Sequence, residues 1–125
     1  MSALPPDRRL KNAAEFRAVM KQPVVRSNRF FRVLAARSPR ANSRLGLAVS
    51  RRVDKRAVAR NSIKRQVREA FRRQVQSAEP VALDLVVIAR SAARGATKAE
   101  LRQAAGRLMD AVYCSGQCHA PTTVG

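Results

Sequence analysis

The stretch Leu83 to Ala89, LDLVVIA, constrains the fold more than any other part of the chain. A nearly unbroken apolar, β-branched run of this length suits a strand covered on both faces, so it is predicted to be central in a sheet. Pro80 closes the element before it. That element, from about Arg56 to Gln76, has helical spacing: Ile63, Val67, Ala70 and Phe71 fall on one face and Val75 extends it. It is predicted as the second and longest helix. Upstream, the short apolar runs Phe30 to Ala36 and Leu45 to Val49 flank the turn-forming segment Ser38 to Ser43, which predicts two strands joined as a hairpin, with Val24-Val25 as an additional edge strand. A strand, a long helix and another strand in succession imply a crossover connection rather than a meander.

Helices are predicted at both ends. The first runs from about Asp7 to Lys21, with Asp7 as N-cap behind Pro5-Pro6 and Pro23 closing it. Ala13, Phe16, Val19 and Met20 form its apolar face; Arg8, Arg9, Lys11 and Arg17 lie opposite. The last helix covers Lys98 to Tyr113, with Thr97 as N-cap, Glu100 three residues on as in a capping box, and Leu101, Ala105, Leu108 and Val112 on one stripe. The order helix, two or three strands, helix, strand, helix gives an α+β protein built as a two-layer α/β sandwich. At 125 residues the chain suits one domain, here residues 1–113, because two cores would each be marginal. Residues 114–125 are small and polar and are expected to be a disordered tail.

Charge narrows the function. The chain carries 26 Lys+Arg against 8 Asp+Glu, a net +18, and 21 of the cations are arginine. Self-repulsion on this scale destabilises a compact state unless a polyanion relieves it, and the guanidinium fork bonds phosphate bidentately and stacks on bases. An apolar share of 46% argues for a folded core rather than a disordered basic tail. No apolar run long enough to span a bilayer is present, and Met1 to Lys11 lacks the apolar stretch of a signal peptide, so a cytoplasmic location and no membrane partner are expected.

A protein active site is not predicted. The acids are scattered singly, and no Gly-rich phosphate loop, HExxH or nucleophile-elbow motif occurs. Cys114, Cys118 and His119 cluster near the end, but three ligands within six residues, with no fourth nearby, do not match structural zinc spacing; they are expected to be reduced thiols without a metal.

The constellation that carries function lies between Arg51 and Arg73, which holds ten cations and only two acids, Asp54 and Glu69. Asn61, Arg65, Arg68 and Arg72 repeat at i, i+4, i+7 and i+11, with Lys64 alongside, as a polar stripe next to Ile63, Val67 and Phe71. Like charges at this spacing repel by about 0.2–0.5 kcal/mol per i,i+4 pair, and a solvated face would carry mixed signs, so the stripe points to nucleic acid. Arg60-Asn61, then Lys64-Arg65, then Arg68, inside KRAVARNSIKRQVREAFR, resembles the signature of the bacterial ribonuclease P protein component. Phe16 and Met20 on an early helix, Arg29-Phe30-Phe31, the Gly46-Leu47-Ala48-Val49-Ser50 strand and the LVVIAR strand carry the resemblance across most of the chain. Ser62 departs from it, since the family commonly has arginine there.

The resemblance implies a left-handed βαβ crossover containing the signature helix. It also implies a role as the protein subunit of ribonuclease P, the ribonucleoprotein endoribonuclease that removes the 5′ leader of precursor tRNA. Hydrolysis would then be carried by the RNA subunit with Mg²⁺ bound mainly to RNA. Two surfaces follow by resemblance. Arg51, Arg52, Arg56, Arg60, Asn61, Lys64, Arg65 and Arg68 would face the catalytic ribonuclease P RNA. Phe16, Arg17, Met20, Phe31, Leu34 and Ser50 would form a cleft for the leader, with Arg60, Lys64 and Arg68 along its edge. Family members often carry aromatic residues at the positions of Met20 and Leu34. Such a cleft suits single-stranded RNA of any sequence, since every base has a face to stack; for Phe16 and Phe31, a place in the core stands as an equal alternative. The competing functions are a structural RNA-binding protein such as a ribosomal protein, a DNA-binding regulator, disfavoured because no helix-turn-helix pair is visible, and a standalone nuclease, disfavoured for want of catalytic residues.

Overall fold

In a computed structural model of the chain, residues 9–10, 13–21, 24–38, 42–77 and 82–122 are described, with side chains up to 75 in the second helix and 113 in the third. The elements are α1 (Ala13–Lys21), β1 (Val24–Ser27), β2 (Phe31–Arg37), β3 (Arg44–Ala48), α2 (Ala57–Ser77), β4 (Leu83–Ala89), a 3₁₀ turn (Ser91–Ala93) and α3 (Lys98–Thr122). The four strands form one sheet in the order β1-β2-β4-β3. As the apolar run predicts, β4 is central, antiparallel to β2 and parallel to β3, with every residue buried except the half-buried Ile88.

The expected hairpin between the runs at Phe30 and Leu45 does not form. β2 turns back instead on β1, with Val24 opposite Ala35 and Ser27 opposite Arg32, and the turn is fixed by Asn28, whose Oδ1 accepts from the N–H groups of Phe30 and Phe31 at 3.0 Å each. β4 inserts between β2 and β3. A strand apolar on both faces gains most by pairing along both edges, and the α2 crossover delivers it parallel to β3.

Two helix boundaries also differ from expectation. Arg9 and Leu10 are extended rather than helical: they bridge to β3 in parallel, and the Leu10 N–H donates to the Leu45 carbonyl at 3.1 Å, which partly covers an otherwise open sheet edge. The helix therefore begins at Ala13. At 25 residues α3, not α2 at 21, is the longest helix, its backbone continuing past Tyr113. The proposed caps and stops at Asp7, Pro23 and Pro80 and the side chains of Cys114, Cys118 and His119 lie outside the described residues. The capping box at α3 is present: the Glu100 N–H donates to Thr97 Oγ1 at 3.1 Å and the Thr97 N–H to Glu100 Oε1 at 2.8 Å.

Strand alternation sends side chains to two unlike faces. Phe31, Val33, Ala35, Leu45, Leu83, Leu85 and Val87 point to the α2–α3 layer, where they meet Ile63, Val67, Phe71, Leu101, Leu108 and Met109 in the main core. Leu34, Val86 and Ile88 point the other way and meet Leu10, Phe16 and Val19 in a smaller cluster under α1. Tyr113 closes the main core at one end, its hydroxyl donating to Ser43 Oγ at 2.6 Å, while Ser43 Oγ also accepts from the Leu83 N–H at 3.0 Å.

Candidate RNA interface

The loop from β3 to α2 and the first turns of α2 concentrate positive charge at one end of the sheet. Arg51, Arg52 and Lys55 are exposed and line a shallow pocket, while Val53 and Asp54 between them are buried. Asp54 organises this loop. Its Oδ1 accepts from the Arg56 N–H at 3.0 Å and from Arg56 Nε at 3.1 Å, its Oδ2 accepts from Arg56 Nη2 at 3.1 Å, and Arg94 approaches Oδ2 at 3.9 Å. The Arg56 guanidinium and N–H together hold the Asp54 carboxyl down at about 2, and the same pairing raises Arg56. Arg60 Nη1 donates to the carbonyls of Asp54 and Lys55 at 3.1 and 2.8 Å, so this expected RNA contact also braces the loop.

Along α2 the signature residues divide by flank. Gln66 accepts from Arg102 of α3 at 3.2 Å, and Ala70 and Gln74 line the seam between the two helices. Lys64 and Arg68, each two positions from that flank, are turned about 200° away from it, half-buried on the side facing away from α3. Asn61 and Arg65 are exposed. Among the described residues Lys64, Arg65 and Arg68 make no hydrogen bond or ion pair; Arg72, by contrast, donates to Glu69 at 2.9 Å. The stripe is therefore single-signed on the folded protein as well as in the sequence.

On the α1 side, the helix crosses the sheet and leaves one row uncovered. Phe16 is half-buried and lies over Gly46: a Cβ there would stand 2.6 Å from Phe16 Cζ, so only glycine admits the ring in this position. Arg17 and Met20 are exposed, Met20 at 48%, Leu34 forms the buried floor, and Ser50 is exposed just past β3. Phe31 is a correction to the expected cleft. It is wholly buried, on the opposite sheet face and in the main core, because its side chain alternates with Val33 and Ala35 rather than with Leu34. The residue that alternation does bring to the cleft face is Arg32, exposed two positions from Leu34, in one row with Ser27, Ile88 and Ala48. Sequence reading passed over Arg32, although its period-2 relation to Leu34 carried the signal.

A buried ionic cluster fixes α1 to the sheet. Arg44 on β3 pairs bidentately with Asp84 on β4, Nε to Oδ1 at 2.9 Å and Nη2 to Oδ2 at 2.7 Å, and its Nη1 reaches Glu15 of α1 at 2.7 Å. Arg44 is 4% exposed and Asp84 3%, and the Asp84 hydrogen bond raises the Arg44 pKa despite the burial that opposes it. The carboxylates of Glu15, Asp54, Glu69, Asp84 and Glu100 are thus all engaged by the chain's own donors. No group of three His, Cys, Asp or Glu converges among the described residues, and none of the described helices is long and apolar enough to cross a membrane.

Comparisons with known proteins agree in one direction. A family model described as Ribonuclease P matches residues 4–113. The chain is 41% identical over 100 residues to the ribonuclease P protein component of Methylococcus capsulatus, covering 80% of this chain and 77% of that one. Against the same component of Xanthomonas campestris it is 41% identical over 114 residues, covering 87% and 76%. Among solved structures it is similar to the RNase P protein of Staphylococcus aureus, with a TM-score of 0.73 and 31% identity over 83% of this chain and 94% of that one. The RNase P protein of Thermotoga maritima gives a TM-score of 0.68 and 30% identity over the same shares.

Proposed function

Because this chain belongs to the ribonuclease P protein family, and so is the protein subunit of that ribonucleoprotein endoribonuclease, we propose that it binds the catalytic RNA through the β3–α2 loop and signature helix and the precursor tRNA's 5′ leader on the α1 face. The observation that carries this reading is the single-signed stripe of Lys64, Arg65 and Arg68, unpaired among the described residues and continued by Arg51, Arg52 and Lys55 in the β3–α2 loop. A stripe of that kind is costly in isolation and favourable against phosphate, each neutralised phosphate releasing condensed counterions. The leader cleft is supported by the exposed row of Ser27, Arg32 and Ala48 beside Phe16 and Met20, where apolar and aromatic surface lies within reach of cations.

The protein's part in the reaction is positioning. Cations that lower repulsion between leader, tRNA and catalytic RNA bring the scissile phosphate to the reacting centre at a smaller entropic and electrostatic cost. Magnesium would be held mainly by RNA phosphates and would supply the metal for hydrolysis; the prior engagement of Glu15, Asp54, Glu69, Asp84 and Glu100 by the chain's own donors supports placing it there. A cytoplasmic setting follows from the tRNA substrate. The test is cleavage of a 5′-extended precursor tRNA by a bacterial ribonuclease P RNA at low Mg²⁺, with and without the protein. Restored, accurate 5′ trimming that the protein alone does not perform is the expected result; RNA binding with no effect on cleavage would overturn it.

A further inference from the structure

The signature helix has a second flank that neither surface above uses. Where α2 and α3 pack together, their outer seam is an open groove floored by two small residues, Ala70 and Gly106, and rimmed by Arg73 of α2 and by Arg102, Gln103 and Arg107 of α3. Arg73 and Arg107 are exposed, and among the described residues neither makes a hydrogen bond or an ion pair. Among the described residues Asp110 is the one acid lining the groove. Gln103 and Arg107 also line a second depression with Asn28, Arg29 and Phe30, so the groove continues across α3 to a cation lying 5.4 Å above an aromatic ring. Glu100 borders that depression, but its carboxylate is taken by the Thr97 N–H.

Gly106 sharpens the point. A glycine inside a helix costs roughly 0.5–1 kcal/mol relative to alanine, and packing does not require it here, since a Cβ at Gly106 would meet nothing within 4 Å. What the glycine provides is a floor low enough for another molecule to approach the helix backbone between two unpaired arginines.

We propose that this α2–α3 groove is a further RNA-backbone site, occupied by a second segment of the same ribonuclease P RNA that the signature helix contacts. The inference rests on the RNA-binding reading of that helix. Charge complementarity selects a phosphate backbone, and continuity selects the RNA: Arg65 and Arg73 are two turns apart on one helix, so a strand crossing the signature stripe needs only to pass over α2 to reach the groove. The leader, on the far side of the sheet, is excluded by the intervening core. Gln103, with a donor and an acceptor on its amide, is placed to bond ribose or base edges while the arginines hold phosphate.

The experiment compares three proteins binding ribonuclease P RNA alone: wild type, the Arg73→Gln/Arg107→Gln double variant, and Arg65→Gln as a reference on the signature stripe. Each affinity is followed against salt concentration, and a cleavage reagent tethered at Gln103→Cys, in a Cys114→Ser/Cys118→Ser background so that it is the one thiol, reports RNA proximity in the complex. The double variant is expected to flatten the slope of log affinity against log salt by about 1.4–1.8, some 0.7–0.9 per lost phosphate contact, and the tethered reagent to cut the RNA. An unchanged slope in the double variant with a flattened one in Arg65→Gln overturns the groove and leaves the signature helix in place. Unchanged slopes in both overturn the RNA-binding reading itself. Cuts that appear only in precursor tRNA, once it is added, assign the groove to the substrate and overturn the assignment to the catalytic RNA.

Discussion

The two faces of the sheet are held in different ways. Against α2 and α3 the sheet buries a continuous apolar core with Phe31, Phe71, Leu85 and Met109 fully enclosed. Against α1 it buries only a small cluster among the described residues, and the Arg44 ion pairs with Asp84 and Glu15 add to that attachment. Apolar burial is non-directional and strong; a buried ionic cluster is weak as net stabilisation but strict in geometry. The helix layer therefore keeps the chain folded, while the other face gives up cover, leaving Ser27, Arg32 and Ala48 exposed, and uses the ion pairs to set where α1 sits over that open row. A surface meant to receive RNA cannot also be filled with protein, and a polar strut fixes α1 without occupying the row.

The comparison breaks first if the core face does not dominate stability. Phe31→Ala should cost about 3–5 kcal/mol, the range for removing a large enclosed aromatic, measured by urea denaturation, whereas leader affinity per folded molecule should not change. A loss of leader affinity in the folded fraction would return Phe31 to the cleft. Asp84→Ala should cost about 3 kcal/mol, the low end for breaking a buried pair, since Arg44 keeps Glu15. Here leader affinity should fall as well, because Arg44, no longer clamped by Asp84, stops fixing the position of Glu15 and with it α1; a destabilised protein with normal leader affinity would show that the ion pairs hold the sheet and not the cleft. Gly46→Ala should cost less, about 1–3 kcal/mol of overpacking, since the Phe16 ring can swing away from the added methyl. Affinity for leader-bearing precursor should drop relative to mature tRNA, and equal affinities for the two would remove Phe16 from the cleft.

Much of this was legible in the sequence, and what was not has a common cause. The capping box at Thr97 and Glu100, the central strand and the signature helix are local patterns, and each stands where it was expected. The pairing of β2 with β1 and β4 rather than β3 depends on which edge a distant strand takes, and a turn-rich segment such as Ser38 to Ser43 marks only that the chain changes direction. Phe31 and Phe16 were indistinguishable as aromatic residues on amphipathic elements; the register that puts Phe31 opposite Ala89 and under the helices is a tertiary fact. The ionic cluster joins residues 29 and 40 positions apart, yet it left one trace: Asp84 inside an otherwise apolar strand buried on both faces needs a partner, since an unpaired buried charge is strongly unfavourable.

The smallest effect sets one acid–arginine pair against the other. Asp84 and Arg44 are both buried, whereas Asp54 is buried beside an Arg56 side chain that is 74% exposed. Asp54, held at about 2 against an ordinary 3.8, favours the folded protein fully above pH 3.8, and that contribution disappears as pH falls through about 2. Arg56 and Arg94 are the cations that face it. In Asp54→Asn the side chain no longer titrates, so the stability difference between wild type and variant should shrink as pH is lowered from 4 to 2 and stay level from 5 to 7. The same variant leaves Arg56 without its carboxylate partner, so the β3–α2 loop loosens and affinity for the catalytic RNA falls at neutral pH even where global stability is nearly unchanged. A stability difference flat from pH 2 to 7 would mean that the exposed half of the pair is screened by solvent and that the loop is held by the Arg60 bonds to the Asp54 and Lys55 carbonyls instead.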